Sequence, residues 1–199
     1  MKLFVNKPSP YARKVLVLLH EKGALDRVEV VNADPWANPA DLLAATPLAK
    51  VPALVTDEGW VLPESWAIAD YLDTTLPGPR LLPQEPGPRG LELRLAALGQ
   101  GVTDAAFSAV IEGRRPEGER SPGWVERQKA AILRALPVLE GEVAALSVGF
   151  GLGALTVAVA LDYLDFRHAA LAWGERAPAL REWFEGVRER PSMRATDPR

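Results

Sequence analysis

The sequence predicts an α/β N-terminal domain followed by an all-α helical bundle. Three observations carry that expectation. The first part of the chain alternates short β-forming runs with helical patterns. A stretch dense in Pro and Gly follows it. Beyond Arg89, apolar residues recur at helical spacing with little strand signal.

Residues 2–6 read as a short strand, stopped by the loop Lys7-Pro8-Ser9-Pro10. Residues 11–22 read as a helix with Val15, Leu18 and Leu19 on one face and Gly23 just past its end. Residues 28–31 form a second strand, and a loop over 34–39 leads to a short helix at 40–45. The runs Ala53-Leu54-Val55 and Trp60-Val61-Leu62 flank Thr56-Asp57-Glu58-Gly59, a hairpin signal. Val51-Pro52 enters its first strand. Proline lacks an N–H, so Pro52 sits at a strand start or edge. X-Pro is also the peptide link at which cis is accessible, which turns the chain sharply and leaves neighbouring backbone groups to a ligand. Ser65 stands at or near the N-cap of a helix over 66–72. The order β-α-β-α-β-β-α implies a mixed sheet with helices on its faces.

The Pro/Gly-rich stretch divides the chain into a domain over 1–78, a linker over 79–88 and an all-helical domain over 89–199. In the last of these, 91–111, 124–146 (bent at Pro137), 154–173 and 179–189 read as helices, and 114–123 is a polar break. The segment 154–173 is nearly all apolar, hence central. Residues 143–161 carry no charge, but Ser147, Gly149, Gly151, Gly153 and Thr156 interrupt the run. It reads as a helix end, a turn and a buried helix rather than a membrane span.

Composition narrows the function. The chain of 199 residues has no cysteine, which excludes disulfides, thiolate metal sites and a Cys nucleophile, and fits a reducing compartment. A net charge of −3 without a dense Lys/Arg run offers no field for nucleic acid. Residues 1–5 give way at once to Asn6-Lys7-Pro8, unlike a secretory signal. His20 and His168 are far apart in sequence and read as surface or packing residues, not as a metal set. Two helix starts point to ligand chemistry. Ser9 precedes Pro10, so its hydroxyl caps exposed N–H groups. Glu64-Ser65 opens the next helix but one, whose N–H groups and dipole suit a carboxylate.

Asn6-Lys7-Pro8-Ser9-Pro10-Tyr11-Ala12-Arg13-Lys14-Val15, Lys50-Val51-Pro52-Ala53-Leu54 and Leu62-Pro63-Glu64-Ser65-Trp66-Ala67-Ile68-Ala69-Asp70-Tyr71-Leu72 together resemble the glutathione-binding half of the cytosolic glutathione S-transferase family. In the helical half, Asp162-Tyr163-Leu164-Asp165-Phe166-Arg167, and Asp104-Ala105-Ala106 followed by Glu112 and Arg115-Pro116, are similar to one bacterial subgroup. The resemblance implies a thioredoxin-like first domain. It implies Ser9 as the catalytic hydroxyl that donates to the glutathione thiolate. A thiol has a pKa of about 8.5, so even one unit of stabilisation, ~1.4 kcal/mol, matters at neutral pH. It assigns the glutathione α-amino group to Glu64, its α-carboxylate to Ser65, its cysteinyl backbone to Val51 beside Pro52, and its glycyl carboxylate to Lys50. Asp104 would reach the amino group across a dimer. Tyr11, Phe107 and Ile111 would line the side of the second substrate, and Arg13 would be structural.

The resemblance further implies a cytoplasmic homodimer that joins glutathione to an electrophilic small molecule. Glutathione would be a cosubstrate, with no other cofactor, no metal, no nucleic acid and no membrane. Two departures stand out. Gln100 occupies a position where the subgroup often has Asp. Gly151-Leu152-Gly153-Ala154 replaces the usual S-x-A-D, so the buried helix is expected to start less firmly, by about 1 kcal/mol for a lost cap. Two alternatives stay open. One is a glutathione-dependent disulfide reductase or peroxidase, against which Ser9 counts, since it forms no mixed disulfide. The other is a non-catalytic interaction module, which the degraded helix start favours.

Overall fold

The computed structural model describes residues 1–199. The chain forms two compact units, Met1–Leu82 with Pro191–Arg199, and Pro83–Arg190.

The first unit runs β1 (Lys2–Val5), α1 (Pro10–Glu21), β2 (Glu29–Asn32), α2 (Ala40–Ala45), β3 (Ala53–Val55), β4 (Val61–Pro63) and α3 (Ser65–Thr75). Its sheet order is β2-β1-β3-β4, with β1 parallel to β2 and the other pairs antiparallel. A parallel pair needs a crossover, which α1 supplies. The antiparallel β3–β4 pair closes through a short turn in which Gly59 takes φ +87°. Side chains alternate across the sheet. Phe4 and Ala53 therefore join Ala33 and Leu42 of α2 in one apolar cluster, while α1 and α3 pack against each other and the strands.

A buried ion pair closes this unit. Lys22 Nζ lies 3.1 Å from Asp73 Oδ1, with both side chains essentially inaccessible to water. Lys22 also donates to the carbonyls of Asp73 (3.1 Å) and Pro79 (2.9 Å). The Asp73 carboxylate accepts from the N–H groups of Leu81 (2.9 Å) and Leu82 (3.1 Å). Gly78 is obligatory beside it, because it has φ +103° and a Cβ there would lie 2.2 Å from the Lys22 carbonyl oxygen.

The second unit holds α4 (Pro86–Gly113), α5 (Pro122–Glu140), α6 (Val143–Leu146), α7 (Leu152–Arg167), α8 (Trp173–Arg176) and α9 (Pro178–Arg188). Helix α7 is buried from Leu152 to Leu164. It meets α4 at Gly99, where a Cβ would sit 2.8 Å from the Val157 nitrogen. Asp165 accepts from Trp173 Nε1 (2.7 Å) and from both terminal nitrogens of Arg181, whose guanidinium stacks 4.0 Å from the Trp173 ring centroid.

Several sequence expectations need correction. The linker over 79–88 is shorter, because Pro86 and Pro88 lie inside the first turn of α4, where backbone N–H groups have no helical partner to lose. The helix read over 124–146 stops at Glu140, with Gly141 as its C-cap, and 143–146 is a separate turn. The helix read over 154–173 stops at Arg167, because His168 leaves helical geometry and Ala172 is left-handed. The last nine residues belong with the first unit, not with the helical one. There α10 (Pro191–Ala195) and the residue after it supply acceptors to the buried Arg13, which donates to Thr196 Oγ1 (3.2 Å) and the Met193 carbonyl (3.0 Å).

The start of α7 is also capped after all. The Glu92 carboxylate, from α4, accepts from the Gly153 N–H at 2.6 Å. A Cβ on Gly151 or Gly153 would collide with that carboxylate, at 2.5 and 2.8 Å. The glycines make the space that the acid fills. Burial pushes the Glu92 carboxyl above its ordinary value, and the Gly153 N–H pulls it back part of the way.

Candidate functional site

Strand register gathers three loops at one end of the sheet. Phe4 pairs with Ala53, and Ala53 with Pro63. The exit of β1, the entrance of β3 and the exit of β4 are therefore neighbours. The first carries Ser9, the second Val51-Pro52, the third Glu64-Ser65.

Ser9 is the N-cap of α1. Its extended backbone (φ −78°, ψ 117°) lets Oγ accept from the Ala12 N–H at 3.2 Å, and Pro10 fills the first helical position. Its own N–H donates to the Asn6 carbonyl at 2.9 Å, which tightens the loop. A hydroxyl has one hydrogen and two acceptor lone pairs, so a capping bond that uses a lone pair leaves the hydrogen to donate. Tyr11 lies inside α1, half-buried in its first turn.

The Val51-Pro52 peptide is cis, and Ala49 just before it is left-handed at φ 48°. The ladders of β3 begin at Ala53, so the Val51 backbone lies outside them. Lys50 is exposed and Pro52 is buried.

The third loop sets Ser65 at the first position of α3, beside its cap. Glu64, not Ser65, is the N-cap of α3. It holds φ +80°, which non-glycine residues seldom adopt and which, when observed, points to a functional constraint. Its carboxylate accepts from the Trp66 N–H (3.0 Å) and from the Ser65 hydroxyl (3.0 Å). Ser65 Oγ in turn accepts from Lys14 Nζ at 3.1 Å. Lys14 and Ser65 are 2% and 1% exposed, whereas Glu64 opens to water. The Lys14 ammonium also lies 5.8 Å from the Trp66 ring centroid. Sequence reasoning did not pick out Lys14 individually. The available signal is its place one turn before Leu18 on the buried stripe of α1.

Asp104, Phe107 and Ile111 lie on α4 in the second unit. Asp104 is exposed and accepts from Gln100 Nε2 at 2.9 Å, so the glutamine of the variant position engages this carboxylate along its own helix. Phe107 and Ile111 are half-buried. His168 has a ring nitrogen 2.9 Å from the Ala106 carbonyl, and burial pushes its pKa below the ordinary value. No three His, Cys, Asp or Glu side chains are grouped to hold a metal ion, and no helix is long and apolar enough to cross a membrane.

A thioredoxin-like sheet with three loops gathered at one end, carried in one chain with a helical unit, defines a class that known proteins share. Models of the N-terminal and C-terminal domains of glutathione S-transferase match residues 8–75 and 122–186. The chain belongs to the glutathione S-transferase family. It is 34% identical over 201 residues to the uncharacterized GST-like protein YibF of Escherichia coli K12, across 100% of this chain and 98% of that protein. Its structure is similar to that of a glutathione transferase family member from Pseudomonas fluorescens Pf-5 crystallised with bound glutathione. The TM-score is 0.95 at 44% identity, covering 100% of this chain and 98% of that one. A glutathione S-transferase from Methylobacillus flagellatus KT with glutathione bound gives 0.92 at 34% identity, covering 100% and 99%.

Proposed function

We propose that this chain binds glutathione and activates its thiol for attack on an electrophilic small molecule. The observation that carries this reading is the convergence of Ser9, Val51-Pro52 and Glu64-Ser65 at one end of the sheet. Similar proteins hold glutathione. The Glu64 carboxylate receives the α-ammonium of the γ-glutamyl end. Its α-carboxylate takes the Ser65 hydroxyl and the N–H groups that open α3. The cysteinyl backbone pairs with Val51 as an added strand, and Lys50 meets the glycyl carboxylate.

The sulfur then lies where the Ser9 hydroxyl donates to it and the start of α1 turns its positive end toward it. Both favour the thiolate and release its proton to solvent. The thiolate electron pair forms a carbon–sulfur bond, and a leaving group departs with its own pair. Within the first unit, Tyr11 is the residue assigned to the electrophile, and Asp104 contributes to glutathione from the second copy of a cytoplasmic homodimer. Light scattering checks that oligomeric state.

Conjugation is preferred to thiol exchange because Ser9 forms no mixed disulfide. The case for a non-catalytic module weakens, because Glu92 replaces the missing helix cap.

The test is calorimetric titration of reduced glutathione into wild type and Glu64→Ala. Binding that the substitution weakens by about tenfold, ~1.4 kcal/mol, supports the site. Absence of wild-type binding refutes the reading.

A further inference from the structure

The glutathione reading gives Lys14 no part, yet its ammonium is buried directly behind the residue assigned to the ligand carboxylate. We infer that Lys14 is a positioning residue that fixes the Ser65 hydroxyl as a hydrogen-bond donor and selects a ligand end bearing an α-carboxylate beside its amine. This inference rests on the proposed glutathione site and deepens it.

The argument follows from the donor inventory. An ammonium has hydrogens and no lone pair, so Lys14 Nζ only donates to Ser65 Oγ. That uses a lone pair of the hydroxyl and directs its single hydrogen away from Lys14. The hydrogen goes to Glu64 Oε1 at 3.0 Å. Without the ammonium, the Ser65 hydrogen would no longer be held off the Lys14 side, and a ligand carboxylate, which can only accept, would have to orient it on binding. With it, the ligand meets a hydroxyl whose hydrogen is held away from Lys14, on the Glu64 side. When the α-ammonium engages Glu64, the Ser65 hydrogen turns to the α-carboxylate. Lys14 thus relays one positive charge to the ligand through a single hydroxyl. Since Lys14 and Ser65 are almost wholly buried, that charge is screened less than a surface lysine's. Glu64 at φ +80° sets the geometry, because it places its own carboxylate across the helix start, beside Ser65.

A purely structural role, tying α1 to α3, predicts a different outcome. It would change stability, and it would change affinity for all ligands of the site alike.

The test is a cycle between the Lys14 charge and the ligand carboxylate. Dissociation constants are measured by calorimetry for wild type and Lys14→Met. The ligands are reduced glutathione and γ-aminobutyryl-cysteinylglycine, which lacks only the α-carboxylate. The expected result is about a tenfold or greater weakening of glutathione, with the analogue weakened less than about threefold. Equal losses for the two ligands, or no loss for either, overturn the role of Lys14 while leaving the glutathione site standing. A wild type that binds neither ligand overturns the glutathione reading, and this inference with it. Should Lys14→Met fail to fold, heteronuclear NMR of the wild-type Lys14 ammonium decides. Its resonance should move with glutathione and stay with the analogue. The same movement for both overturns the inference.

Discussion

Asp73→Ala should be among the most damaging single substitutions in the first unit. It removes one carboxylate that serves three donors, namely Lys22 Nζ and the N–H groups of Leu81 and Leu82. Lys22 would keep the carbonyls of residue 73 and Pro79 but lose its counter-charge in a buried site. Breaking a buried ion pair from one side costs about 3–5 kcal/mol. Each stranded backbone donor adds about 1–3 kcal/mol. The three interactions share one group, so the parts overlap, and a loss of about 4–6 kcal/mol follows. Against a total stability of about 5–15 kcal/mol, that is a large share. At about 2–4 °C per kcal/mol for a chain of this size, Tm should fall by about 10–20 °C. Urea and thermal unfolding followed by circular dichroism measure it. The double variant Lys22→Met with Asp73→Leu removes both charges and should regain part of the loss, the Leu81 and Leu82 N–H groups staying unpaired. A loss below about 1 kcal/mol for Asp73→Ala, or a double variant no better than the single, would refute the claim that an uncompensated buried charge is the cause.

Two further outcomes are expected. The folded-state pKa of Glu92 is raised, so the stability its protonated form contributes is full below the ordinary value of 4.5 and is lost as pH rises through the folded value. Glu92→Gln keeps an acceptor for the Gly153 N–H without a charge, so it should match wild type near pH 4 and gain on it toward pH 7; denaturation midpoints across that range read the difference. Ser9→Ala should lower kcat for glutathione conjugation by about tenfold or more, through loss of a donor to the thiolate, while costing about 1 kcal/mol of stability through loss of the α1 cap. Unchanged turnover would refute the catalytic assignment.

Most of the first unit was legible because its signals are local. Gly59 marks the hairpin, Pro52 the strand entrance and Ser9-Pro10 the start of α1. Ser65 is next to the cap of α3, as expected, but the cap itself is Glu64, and no pattern announces a glutamate at positive φ. Lys14 stands beside Arg13 and resembles a solvated charge until α3 covers it. Helix α10 has only five residues, too few to show a period, and it is held by Arg13 far away in sequence. Its membership of the first unit was hidden for the same reason. The Gly151 and Gly153 pair looks like a lost cap in the sequence, because the acid that occupies their space comes from another helix, 61 residues earlier.

That displaced acid changes when the α7 start can form. A serine or aspartate cap within the segment would favour the first helical turn in an otherwise unfolded chain. Here the acceptor is a residue of α4, so the first turn gains its cap only once the two helices have met. Nucleation of the central helix is thereby tied to a long loop closure, which carries its own entropy cost. Removing the Glu92 acceptor should accordingly slow folding rather than merely hasten unfolding if the α4–α7 encounter belongs to the transition state. The ratio of those two rate changes dates the encounter on the folding path.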